Sequence, residues 1–154
     1  MPLRFALKVT SSVPLEVEGI TPDSVRGKSL AEIERLVIFQ GNVKLPLAEF
    51  FAVSGDGADE IHDWEGDLAG VHWIGAKMTA GRIVIHASGG RHIGSEMRGG
   101  QIHVLGDAGD WVGGEMHGFS PSIEMHRQLQ VKLNCCRFRR INYTLLQPNI
   151  DSRN

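Results

Sequence analysis

Cysteine is nearly missing from this sequence, and so are the marks of several protein classes. The only two cysteines, Cys135 and Cys136, are adjacent, which excludes the spaced pairs of a secreted disulfide framework. No apolar run approaches the roughly 18 residues that cross a bilayer, and the opening Met1-Pro2-Leu3-Arg4 lacks the apolar stretch of a signal peptide. Charge of one sign is lacking as well. Lysine and arginine number 16 against 18 aspartates and glutamates, a formal net charge of −2, so nothing draws the whole chain to nucleic acid or to a membrane. The expectation is a cytoplasmic protein in a reducing setting, with neither nucleic acid nor membrane among its partners. Gly55-Asp56-Gly57 runs on into Ala58-Asp59-Glu60, completing no dinucleotide fingerprint, and no Gly-Lys-Ser/Thr phosphate loop exists.

What the chain has is glycine, in a pattern. Fourteen of its 19 glycines fall between Gly66 and Gly118, a density that argues against helix. Within that stretch Trp73-Ile74-Gly75-Ala76-Lys77-Met78, His92-Ile93-Gly94-Ser95-Glu96-Met97 and Trp111-Val112-Gly113-Gly114-Glu115-Met116 align at a constant spacing of 19. Gly81-Arg82-Ile83-Val84-Ile85 falls on Gly100-Gln101-Ile102-His103-Val104 by the same shift. A fixed period near 20 with glycine punctuation predicts a solenoid. Successive coils then lie about 4.8 Å apart, and each column holds one residue type. Gly75, Gly94, Gly113, Gly81 and Gly100 are expected at the bends, where φ is positive or backbones approach closely. Ile74, Ile93 and Val112, with Met78, Met97 and Met116, are expected to stack inside, the thioethers filling irregular gaps. Met97, with a coil on each side, is expected to be the most buried methionine.

The flanks read differently. Leu3 to Val9 alternates as a strand, with Leu15 to Glu18 as its expected neighbour across Ser11-Ser12-Val13-Pro14. Ser29 and Glu32 form a capping box ahead of Leu30, Ile33, Leu36 and Val37, predicting a helix over 29–36. Val43 to Leu47 reads as extended, Pro46 hints at an edge, and Phe50 with Phe51 are expected to anchor against the first coil. This segment suits a cap over the strand edges that a first coil exposes. Residues 54–67 are an acidic loop, whose ligand spacing matches neither an EF-hand nor a β-roll. Composition breaks near Gly118: residues 1–118 hold 10 basic and 16 acidic side chains, residues 119–154 six and two, with no glycine. The expected division is 1–60 cap, 61–118 coils and 119–154 an atypical tail, with a strand at about 129–134 over the open end or a tail-mediated oligomer.

No catalytic, cofactor-binding or metal residues emerge. The seven histidines, His62, His72, His86, His92, His103, His117 and His126, are scattered over different columns, and His92 replaces Trp73 and Trp111, which suggests ring stacking. No motif joins a serine to a histidine as nucleophile and base. Glu96 and Glu115 share a column, an unfavourable pair unless Arg98 or a partner's cation neutralises them. Solvation with Arg98 is one account of that column, and a docking surface the other.

The glycine-punctuated units from Gly66 to Met116, with Pro14-Leu15-Glu16-Val17, Gly27-Lys28-Ser29-Leu30 and Gly41-Asn42-Val43-Lys44 before them, closely resemble the C subunit of formylmethanofuran dehydrogenase. The form found in the bacterial formyltransferase/hydrolase complex is especially similar. The resemblance covers about residues 1–118. The glycine-repeat domain of the large glutamate synthase polypeptide is the competing relative, and an independent β-solenoid interaction module is a further alternative. The resemblance implies an all-β fold, a right-handed parallel β-helix of 19-residue coils with a small mixed α/β cap. It also implies a non-catalytic scaffold role in a complex of methanofuran- and tetrahydromethanopterin-linked one-carbon metabolism. Its partners would be the amidohydrolase-like component and the formyltransferase component of such a complex, and methanofuran, zinc or a molybdenum or tungsten pterin would be carried by those partners. Family members continue the coils further, whereas Phe119 stands where coil three needs the glycine of Gly81 and Gly100. Truncation, a shifted reading frame or a divergent cap would each produce such a tail, and an open end would permit a homo-oligomer.

Overall fold

A computed structural model describes residues 1–118, 121–125 and 141–142. The chain begins with β1 (Leu3–Leu7) and β2 (Leu15–Glu16), followed by the short helix α1 (Leu30–Glu34). Then come β3 (Val37–Gln40), β4 (Val43–Pro46), a 3₁₀ turn (Leu47–Glu49) and β5 (Phe51–Ser54). The glycine-rich part supplies β6 (Ile61–Glu65), β7 (Val71–His72), β8 (Arg82–Ile85) and β9 (Gln101–Val104), and β10 (Ser122–Met125) and β11 (Ile141–Asn142) follow. Among the described residues no helix is long and apolar enough to cross a membrane.

The strands form two mixed sheets. One is ordered β11-β10-β9-β8-β6-β1-β5 and the other β4-β3-β2-β7. The expected right-handed parallel β-helix is corrected by this topology. In the first sheet β1, β6, β8, β9, β10 and β11 run parallel, but β5 closes the edge antiparallel to β1. In the second, β4 with β3 and β3 with β2 are antiparallel, and only β2 with β7 is parallel. Nor do the 19-residue units close into a tube of stacked strands. Apart from two-residue β7, each contributes one four-residue strand, and the rest is turn and loop. The cause is local: Trp73, Gly75 and Lys77 all have left-handed φ of 67, 73 and 62°, which an extended strand does not tolerate.

Register in the long sheet follows the period. Arg82 pairs with Gln101, Ile83 with Ile102 and Ile85 with Val104, as the alignment predicts, and Ile83, Ile85, Ile102 and Val104 are buried. The ladder does not end at Gly118. β10 adds Ile123 on Ile102 and Met125 on Val104, both buried, after two extra residues that hide the step from a strict period of 19. β11 then pairs with β10 through Ile123 and Ile141. The strand expected at 129–134 lies outside the described residues.

Before Ile61 the expectations hold unevenly. The capping box forms as predicted, the Ser29 side chain accepting from the Glu32 N–H and the Glu32 carboxylate accepting from the Ser29 N–H. β1 and β2 do not pair with each other; β1 lies between β5 and β6, and β2 between β3 and β7. β3, with no clear alternation in Val-Ile-Phe-Gln, is visible only as the partner of β4 across Gly41-Asn42. Phe51 meets Trp64 edge to face at 5.3 Å and Phe5 stacks on Trp64 at 4.4 Å, so the phenylalanine anchor forms against β6. One continuous apolar core runs from Leu3 to Met125.

Candidate functional site

The turns of the 19-residue units carry the least ordinary backbone in the molecule. Trp73, His92 and Trp111 at their first position have φ of 67, 58 and 65°, and Lys77, Glu96 and Glu115 at the fifth have 62, 57 and 56°. For residues with a Cβ this region costs roughly 1–2 kcal/mol each. In the first two units hydrogen bonds to the next unit hold it. The N–H groups of Trp73 and Lys77 donate to the Arg91 and Ser95 carbonyls, each at 2.9 Å, and those of His92 and Glu96 to Asp110 and Gly114 at 3.0 and 2.7 Å. Gly94 and Gly113 donate in the opposite sense to Ile74 and Ile93, at 2.9 and 2.8 Å. The left-handed residues of the first two units thus aim their N–H at the next unit instead of at their own turn.

Inside this stack lie Ile74, Ile93, Val112, Met78, Met97 and Met116, all buried. Met97 is not singled out among the methionines, because Met78 is equally inaccessible. Residues before β3 cover that unit, the Asp23 carboxylate accepting from the Thr79 hydroxyl at 3.0 Å. Gly75, Gly94 and Gly113 have left-handed φ of 73, 66 and 62°, and Gly81 and Gly100 of 89 and 84°.

Outside, the rings stack. Trp73 and His92 lie 4.0 Å apart and 2° from parallel, and His92 and Trp111 5.9 Å and 11°. The stacking expected of His92 is therefore present. Ser95 braces it: its Oγ lies 3.3 Å from His92 Nδ1 and donates to the Trp111 carbonyl at 3.1 Å. Ser95 is itself buried, so the one Ser–His contact given by the described residues holds a turn in place. The fifth position forms a charged column. Lys77 meets Glu18 at 2.6 Å, a contact that, with help from Glu96, holds its amine above the usual range. Arg98, the expected neutraliser of Glu96, makes no ion pair with it among the described residues; the cation acting on Glu96 is Lys77.

The remaining histidines are spread through the structure. His62 is wholly buried on β6, between Leu3 and Ile83 in the ladder, edge-on to Phe5 at 5.0 Å. Neither ring nitrogen has a described partner, and burial pushes its pKa down to about 4 despite the attraction of Asp23 and Asp59. His72 Nδ1 accepts the Arg91 N–H at 2.8 Å, and burial, seconded by the Arg91 guanidinium, lowers its pKa. His86 Nε2 sits 3.1 Å from Asp63. His103 is half-buried on β9, His117 is exposed, and His126 lies outside the described residues. The acidic stretch 54–67 is not all loop, since β6 takes up Ile61–Glu65, and several of its carboxylates have cations: Asp56 and Asp59 the amino terminus, Glu60 Arg26, and Glu65 Arg4. Among the described residues no three His, Cys, Asp or Glu side chains converge to hold a metal. Sequence reasoning missed the left-handed backbone at the ring and charge columns. Tryptophan, lysine and glutamate give no sign of it, since among non-glycine residues asparagine and aspartate are the usual occupants.

The chain is similar over part of its length to known proteins. No protein-family model matches the chain. It is 44% identical over 89 residues to the C subunit of the molybdenum-containing formylmethanofuran dehydrogenase 1 of Methanosarcina barkeri, covering 55% of this chain and 30% of that protein. It is 41% identical over 85 residues to the C subunit of the tungsten-containing formylmethanofuran dehydrogenase 2 of Methanothermobacter wolfeii, covering 53% and 32%. The matches thus span about a third of those relatives' lengths. In fold it resembles a chain of the formyltransferase/hydrolase complex (FhcABCD) of Methylorubrum extorquens, solved with methylofuran. The TM-score is 0.61 and the identity 23%, over 80% of this chain and 55% of that one. The molybdenum and tungsten in the relatives' names find no fitting ligand set among the described residues.

Proposed function

We propose that this chain, a relative of the formylmethanofuran dehydrogenase C subunit, is a non-catalytic structural component of a complex that handles formyl groups on a methanofuran-type carrier. The observation that carries this reading is the 44% identity over 89 residues to a protein named as the C subunit of a formylmethanofuran dehydrogenase, and the fold likeness to a chain of the formyltransferase/hydrolase complex supports it. Metals, pterin and carrier would be held by partner chains, an amidohydrolase-like one and a formyltransferase among them. Affinity purification of the tagged chain co-expressed with those two partners tests this. The expected result is a stoichiometric complex whose formylmethanofuran turnover needs the partners. Turnover by this chain alone, or purification without either partner, overturns the reading.

A further inference from the structure

Among the described residues the ring column ends on a tryptophan that the other rings have positioned but not covered. Trp73 is partly buried and His92 lies between two indoles, whereas Trp111 remains 43% exposed. Its backbone is held by two hydrogen bonds, Ser95 Oγ and the Gly114 N–H both donating to its carbonyl at 3.1 Å. The indole therefore stands pre-oriented, and a partner stacking on it orders little that is not already ordered.

Charge decides what kind of group fits. The neighbouring units mix signs, with Lys77 tied to Glu18 and Arg91 and Arg98 flanking Glu96 in sequence. From Gly106 to Gly118 the chain has Asp107, Asp110 and Glu115 and no lysine or arginine. Asp110 immediately precedes Trp111, and Glu115 shares its five-residue turn; both are exposed, and neither forms an ion pair with a described residue. Glu115 and Trp111 both occupy left-handed positions where glycine would relieve strain, so the fold retains ring and carboxylate at a cost. An exposed indole with one carboxylate at the residue before it and another in the same turn is complementary to a planar cation, which stacks on the ring while its N–H groups reach the acids.

We infer that the Asp110–Trp111–Glu115 turn is a docking point for an arginine side chain of a partner protein. The inference deepens the proposed function and rests on it only for the partner's being a protein chain. The test uses the full chain and the indole N–H signals of its three tryptophans in a heteronuclear NMR titration. The peptide Gly-Arg-Gly-Arg-Gly amide is the probe, with its lysine and glutamate counterparts alongside. The arginine peptide should shift the Trp111 signal saturably and leave buried Trp64 unmoved. The lysine peptide should bind more weakly and the glutamate peptide not at all. Asp110→Asn with Glu115→Gln should weaken binding by about threefold or more, and added salt should weaken it too; in Trp111→Ala, followed by backbone amide signals of the same turn, saturable binding should be lost, an unchanged Trp64 signal showing that each variant is folded. Equal response to all three peptides, no response of Trp111, or indifference to the carboxylate substitutions overturns the inference. Any of those results leaves the co-purification outcome untouched, so the two readings fail separately.

Discussion

The segments before Ile61 and the 19-residue units after it solve the same packing problem in opposite ways. In the units a residue's neighbours are its own successors: Ile83 lies on Ile102, and the rings of Trp73, His92 and Trp111 stack in chain order. Before Ile61 neighbours come from elsewhere. β1 lies between β5 and β6, and Arg4 reaches Glu65 at 2.6 Å. The contrast extends to glycine. A Cβ on Gly27 would meet nothing within 4 Å, but one on Gly94 would lie 2.6 Å from Ile123 Cδ1 and 3.1 Å from Ile102 Cδ1. Stacking makes Gly94 answer to the neighbouring strands of the ladder, whereas the turn at Gly27 answers only to its own backbone.

The sharpest way to break this comparison is a matched pair of substitutions. Both glycines have left-handed φ, 74° at Gly27 and 66° at Gly94, so valine strains both by roughly 1–2 kcal/mol. Only at Gly94 does it also overpack the column, adding about 1–3 kcal/mol. Thermal unfolding should therefore show Gly94→Val to be much the more damaging, and equal effects would mean that the units are not stacked in this register.

A second pair removes side chains. Met97→Ala should cost about 2–5 kcal/mol, because the neighbouring units hold the cavity open. Val37→Ala, at a 54% exposed position of β3, should stay within about 0.5 kcal/mol. Denaturant melts measure both, and a mild Met97→Ala would show that the methionine column is loosely packed.

A third effect sits at the junction and depends on pH. His62 occupies a position that Leu3, Ile83 and Ile102 fill in neighbouring strands, and it is buried neutral with a pKa of about 4 against 6.5 for an ordinary histidine. As pH falls below 6.5 the unfolded chain takes up the proton first. The neutral ring's contribution is thus complete above pH 6.5 and is lost on descending towards 4, at up to roughly 1.4 kcal/mol per unit. His62→Leu should remove that slope while leaving the carboxylates' own pH dependence in place. If urea melts of the two proteins run parallel from about pH 7 down to about pH 4.5, the range over which the linkage acts, His62 is not buried neutral at this joint.

Much of the site was legible because its signal is a repeat. Alignment at 19 residues identified the ring column, the methionine column and the β8–β9 register without any structure, and Ser29 with Glu32 marked the start of α1. The rest was not legible, for identifiable reasons. β10 was hidden by two inserted residues that put Ile123 out of phase with Ile102. β3 has no alternation of its own and exists by pairing with β4. The pairing of β1 with β2 expected from the sequence was wrong, since short strands accept any edge with matching faces.

Sequence alone determined that the glycine-rich stretch would bend every 19 residues and bury like on like, because a column repeats its residue types only where each unit meets the same environment. The tertiary structure alone decided that the sheets would be mixed. Antiparallel β5, β3 and β4 join them from outside the repeat, and edge N–H and C=O groups accept either direction. It also decided that tryptophan, histidine, lysine and glutamate would take left-handed backbone, a conformation that no local preference favours. In the first two units hydrogen bonds to the next unit hold it there, and they exist only once the units are stacked.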